Sequence, residues 1–128
     1  MSYYFSKTLN TSFEEAVAAV AKALQAEGFG IMTEIDVGKT LKKKLDVDFR
    51  NYKILGSCNP SFAYKALQAE DKIGTMLPCN VIVQETADGH IEVASVDPLA
   101  SMKAIENPHL EDIALQVQDR LKKIIDNL

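Results

Sequence analysis

Tryptophan is absent from this 128-residue chain, and cysteine and histidine occur twice each. Two cysteines do not make a disulfide framework, so the chain has to fold on a hydrophobic core. The histidines, His90 and His109, give no His-x₃-His spacing, the cysteines give no Cys-x-x-Cys, and no zinc motif can be written. Basic charge is also scarce. Lys and Arg number 14 against 18 Asp and Glu, a net charge of −4, so no global field draws the chain to nucleic acid or to an anionic membrane. No apolar run approaches the roughly 20 residues that cross a bilayer. The first residues, Met1 to Thr8, lack the basic-then-apolar order of a secretory leader. The expectation is a cytoplasmic protein with reduced thiols, no membrane or nucleic-acid partner and no cofactor.

What is present is an ordinary globular composition, 47% apolar and 25% charged, in a chain long enough for one domain with a real core. Ser2 to Leu9 reads as a strand. Thr11 with Glu14, or Ser12 with Glu15, offers a capping box for a helix running to about Glu27, with Phe13, Val17, Val20 and Leu24 on its apolar stripe and Gly28 as its stop. Phe29 to Val37 alternates as a strand with one buried face, and Lys39 to Asp46 as a two-turn helix at the sheet's edge, with Leu41 and Leu45 at i, i+4 spacing. Asn51 to Cys58 is a third strand. Asn59-Pro60 then starts a helix whose inner face is Phe62, Ala63, Ala66 and Leu67. Thr75 to Thr86, nearly all apolar, is a central fourth strand in which Pro78 demands a bulge or an unpaired partner. A hairpin turn at Ala87–His90 leads to a fifth strand ending at Asp97-Pro98. Asn107-Pro108 starts the longest helix, apolar from Leu110 to Leu128 along one side. With no linker, repeat or low-complexity stretch, residues 1–128 form a single α+β domain, a mostly antiparallel sheet of about five strands with helices on one face.

The block Tyr52-Lys53-Ile54-Leu55-Gly56-Ser57-Cys58-Asn59-Pro60 with Ala63 and Ala66-Leu67, and the block Ile73-Gly74 running into Leu77-Pro78-Cys79-Asn80-Val81-Ile82-Val83, resemble the signature of the domain of unknown function 302 family. Gly28-Phe29-Gly30 with Thr33–Val37, and Asp97-Pro98, resemble its remaining blocks. The resemblance spans nearly the whole chain. It implies a compact α+β domain of TATA-binding-protein-like arrangement that dimerises, and it carries over no activity, cofactor or catalytic residue.

The residues leave two functional readings open. In the first, Cys58, Asn59, Cys79 and Asn80 form a thiol, sulfur-handling or small-ligand site. Cys58 lies one residue before a helix N-cap, where orphan N–H groups favour a thiolate, and Cys79 is a resolving partner if the two strands are neighbours. A disulfide between them would close a loop worth about 3 kcal/mol. Glu34 and Asp36, two residues apart on one strand face, would add an acid and a base or the polar contacts of a ligand pocket under the long helix. In the second, the protein is a non-catalytic structural or interaction domain acting as a homodimer. There both cysteines are core packing, Asn59 is a helix cap, and the carboxylates line a solvated face. The chain's one basic patch, Lys39, Lys42, Lys43 and Lys44 with Arg50 and Lys53 nearby, lacks interleaved aromatics and a glycine-rich phosphate loop. No catalytic triad can be assembled, which argues against an enzyme.

Overall fold

The computed structural model describes residues 2–128. Five alternating segments build one antiparallel sheet: β1 (Tyr4–Leu9), β2 (Gly30–Asp36), β3 (Tyr52–Cys58), β4 (Cys79–Glu85) and β5 (Ile91–Val96). Their spatial order is β1-β5-β4-β3-β2, so the apolar β4 is central. Its alternate residues Cys79, Val81 and Val83 are buried and meet Leu55 of β3 and Val93 of β5 on the same face.

That face is closed by α1 (Phe13–Ala26) and α5 (Pro108–Asp126). Ser12 caps α1. Its Oγ accepts from the Glu15 N–H at 3.1 Å and donates to the Glu15 carboxylate at 3.1 Å, so Ser12, not Thr11, is the N-cap, with Glu15 turned to its hydroxyl. Gly28 ends the helix with φ +83°, a backbone state that side chains resist. Val20 and Leu24 from α1 and Leu121, Ile124 and Ile125 from α5 fill the core against the sheet. A smaller cluster of Ala66, Ile73 and Leu110 joins α5 to α3 (Pro60–Ala69) and to the 3-10 turn Asp71–Met76. Two short helices, α2 (Val37–Leu45) and α4 (Pro98–Ser101), complete the chain.

The α+β class, the five antiparallel strands and the Asn-Pro helix starts agree with the sequence reading. Four local expectations need correction. β2 has no buried face; it is an edge strand paired only to β3, with Ile31 and Ile35 exposed, and only Phe29, just ahead of it, enters the core. A register shift between Ile31 and Thr33 breaks its alternation, which is why period two misassigned it. The fourth strand starts at Cys79, not Thr75, because residues 71–76 coil into the 3-10 turn and Pro78, after a cis peptide bond, precedes the ladder instead of interrupting it. Leu67 is exposed rather than on the inner face of α3. The helix at the edge begins at Val37, buries no residue and leaves Leu45 exposed.

Candidate functional site

β3 and β4 bring the two signature blocks side by side. Ser57 pairs with Cys79 and Gly56 with Asn80, so Cys58 and Cys79 lie one register step apart. Each neighbouring residue has a structural task. The Ser57 hydroxyl, fully buried, donates to the Cys79 carbonyl at 2.9 Å. Asn59 is the N-cap of α3, its Oδ1 accepting from the Phe62 N–H at 3.4 Å, with Pro60 at the first helical position. Gly28 lies so close that a Cβ there would meet the Asn59 side-chain nitrogen at 3.1 Å. Gly56 is tighter still: a Cβ would stand 2.2 Å from Thr33 Oγ1 and 2.7 Å from Pro78 Cγ.

Cys58, Asn59 and Cys79 line one narrow, mostly apolar cavity of about 30 Å³ beneath α3 and α5, together with Phe62, Met102 and Val117 among others. Asn80 does not join them. Its register partner is Gly56, and it is exposed on the opposite face of the sheet. Burial pushes the Cys58 thiol up, the reverse of the shift expected beside a helix N-terminus. Burial, and then the charge of Cys58, push Cys79 up to about 11. Burial disfavours the thiolate at both positions. Both are free.

Glu34 and Asp36 are engaged elsewhere. Glu34 pairs with Lys53 at 2.8 Å, and that hydrogen bond raises the lysine's pKa against the opposing desolvation. Asp36 caps α2 by accepting from the Lys39 N–H at 3.0 Å. Neither lines the cavity. Lys42 of the basic patch is itself paired with Asp46 and Asp48. His90 Nδ1 lies 2.8 Å from Asp88 Oδ2 at the exposed hairpin, where the Thr86 hydroxyl and then His90 hold the Asp88 carboxyl down at about 2. Among the described residues, no group of three or more His, Cys, Asp or Glu converges to hold a metal ion, and no helix is long and apolar enough to cross a membrane.

The face of the sheet away from the helices was missed by sequence reasoning. Register places Tyr4, Ser6 and Thr8 of β1, Glu92, Ala94 and Val96 of β5, Asn80, Ile82 and Gln84 of β4, Tyr52 and Ile54 of β3, and Ile35 of β2 on it. Among these described residues Glu92 is the one charged side chain, although a quarter of the whole chain is charged. Its charge is internally answered: Gln84 Nε2 donates to Glu92 Oε1 at 2.8 Å, and Arg50 Nε donates to Gln84 Oε1 at 2.9 Å. The Arg50 guanidinium lies 4.4 Å over the Phe49 ring and 5.5 Å over that of Tyr52. The signal for this face was in the sequence. β4 and β5 carry apolar residues at both parities, the pattern of strands covered on two sides.

The architecture defines a class: an α+β domain with a five-stranded antiparallel sheet shielded by helices on one side. The family model described as domain of unknown function DUF302 matches residues 5–128, and the chain belongs to that family. An uncharacterized protein of Aquifex aeolicus (strain VF5) is 22% identical over 125 residues, covering 95% of this chain and 81% of that one. The crystal structure of an uncharacterized conserved DUF302 protein from Bacillus stearothermophilus is similar with a TM-score of 0.91 and 26% identity, covering 98% of each chain.

Proposed function

We propose that this protein is a non-catalytic interaction domain that works as a homodimer, two copies meeting through the open faces of their sheets. The observation that carries the reading is the near absence of charge from a sheet face that no helix covers. Interface cores are depleted in charged residues and enriched in aromatics, and Tyr4, Tyr52, Ile54, Ile82 and Val96 fit that composition. A second copy suits the face because its one carboxylate is already tied to Gln84, so apposed copies bring no bare like charges together. Five strands of six or seven residues offer roughly 500 Å² in projection. Exposed Tyr3 at one rim extends it toward the about 800 Å² per partner of a specific interface.

The same reading gives the signature blocks plain jobs: close approach at Gly56, a buried hydrogen bond from Ser57, a cap at Asn59 and packing at Cys79. A thiolate-based activity has less behind it, since both thiols are shifted away from ionisation. Sedimentation equilibrium tests the dimer. The wild-type chain is expected to associate as a dimer, and Ile82→Asp, at the centre of the face, to sediment as a monomer with unchanged circular dichroism. A wild-type chain that stays monomeric at the highest attainable concentration, or an Ile82→Asp variant that still dimerises, would overturn the proposal.

A further inference from the structure

We propose that the cavity between α4 and α5 binds a small primary amine with a short aliphatic arm, its ammonium held by Asp97 and Gln118. The cavity has a volume of about 370 Å³, within the about 300–1,000 Å³ of small-molecule sites. It shares no residue with the open sheet face, so it stands apart from the proposed dimer. Asp97 belongs to a signature-like block, Asp97-Pro98, that the dimer reading leaves without a task.

β5 ends at Val96, and Asp97 follows it as the cap of α4. Its Oδ1 accepts twice, from the Leu99 N–H at 3.0 Å and from Gln118 Nε2 of α5 at 3.0 Å. Its Oδ2 has no hydrogen-bond partner among the described residues. Because a carboxylate only accepts, Gln118 has to turn its NH₂ group to Asp97, which leaves Gln118 Oε1 as a second acceptor without a donor. Two half-buried acceptors, fixed to each other by one bond, suit a group that only donates. An ammonium carries three donors and no acceptor, and its bonds to a carboxylate are charge-assisted. Glu111, in the first turn of α5, adds a second carboxylate to the lining. Leu99, Met102 and Ile105 give the aliphatic arm an apolar wall. Lys103, the one cation of the lining, is exposed, so water screens its repulsion of the ligand. A divalent metal fits less well. Two carboxylates and an amide oxygen fall short of the six oxygens that magnesium or calcium takes, and no group of three or more His, Cys, Asp or Glu converges among the described residues.

Titration of the ¹⁵N-labelled chain with n-butylammonium chloride, followed by amide shifts at constant ionic strength, tests the site. Saturable shifts are expected, confined to α4 and the facing turns of α5, with n-butanol and butyrate giving none. Asp97→Asn is expected to weaken binding about tenfold or more, the worth of one charge-assisted hydrogen bond. Gln118→Leu keeps the Asp97 cap of α4 and is expected to weaken binding at least about twofold, so it decides the matter should Asp97→Asn disturb the fold, as the amide spectrum will show. Lys103→Ala is expected to leave binding unchanged or to tighten it. The assignment is overturned by an absence of saturable shifts with the amine, by equal binding of the alcohol, or by undiminished affinity in folded Asp97→Asn or Gln118→Leu. Weaker binding in Lys103→Ala would also overturn it, because the cavity would then be reading an anion.

Discussion

The two faces of β3 differ in one respect that governs the rest of the molecule. Leu55 and Ile54 are neighbours in sequence, similar in size and equally apolar. Leu55 is fully buried under the helices, whereas Ile54, on the other face, is only partly buried. The charges sort in an unexpected way. Lys7, Lys53, Glu34 and Asp36 take helix-side positions at the sheet's margins, while the uncovered face carries Glu92 alone. A solvated sheet face ordinarily shows the opposite pattern, polar outside and apolar inside. Two faces alike in apolar residues, only one of them sealed by α1 and α5, are the contrast on which the proposed association rests.

The largest expected effect tests that contrast directly. Leu55→Ala removes a fully buried side chain and is expected to lower the unfolding free energy by about 2–5 kcal/mol at any protein concentration. Ile54→Ala is expected to cost less than half as much in dilute protein and, if copies associate as proposed, progressively more as concentration rises. Urea melts of both variants at two concentrations decide the matter, and equal concentration-independent losses would erase the difference between the faces.

Next in size is Gly56, where the signature block crosses from one face to the other. An added Cβ would meet Thr33 Oγ1 at 2.2 Å and Pro78 Cγ at 2.7 Å. Gly56→Ala is expected to cost about 3 kcal/mol, the upper end of overpacking, by prising the edge strand β2 away from β3. Removing the hydroxyl with Thr33→Ala in the same chain is expected to recover part of the loss, because Pro78 still stands in the way. A double-mutant cycle in urea measures the coupling. Additive losses would mean that the contact with Thr33 is not what the glycine serves.

Much of this was legible in the residues. Asn59-Pro60 and Asn107-Pro108 are helix starts because cap chemistry is local and position-specific, and the face of α5 follows from a period that packing respects. β2 was misjudged because alternation records the sequence of side chains and not the strand's place in the sheet, and a bulge at an edge breaks the rule in the strand least covered. The candidate site divided for a similar reason. Cys79 and Asn80 are adjacent in the chain, but adjacent residues of a strand point to opposite faces, so a Cys-Asn motif cannot gather both side chains at one site. At Cys58 the helix end was visible in the sequence, while the burial that raises its pKa was not.

The smallest expected effect uses Cys79 to report on the closed face. An acid whose pKa is raised by folding binds its proton more tightly in the native state, so native stability is complete below the unfolded value and declines as pH rises through the folded one. For Cys79 that window runs from 9.0 to about 11. Holding the thiol proton that tightly is worth on the order of 2 kcal/mol, discounted little for solvent because the residue is 8% exposed. Urea melts of the reduced protein across that range are expected to show the decline, and Cys79→Ala, which has no proton to lose, to show a flatter one from a lower starting stability. The same experiment on an open-face variant such as Ile54→Ala should leave the slope untouched, because the thiol titrates under the helices whatever happens on the far side of the sheet. An alkaline slope identical in wild type and Cys79→Ala would mean that the thiol is not sealed there, and would weaken the claim that this chain closes one face of its sheet completely by itself.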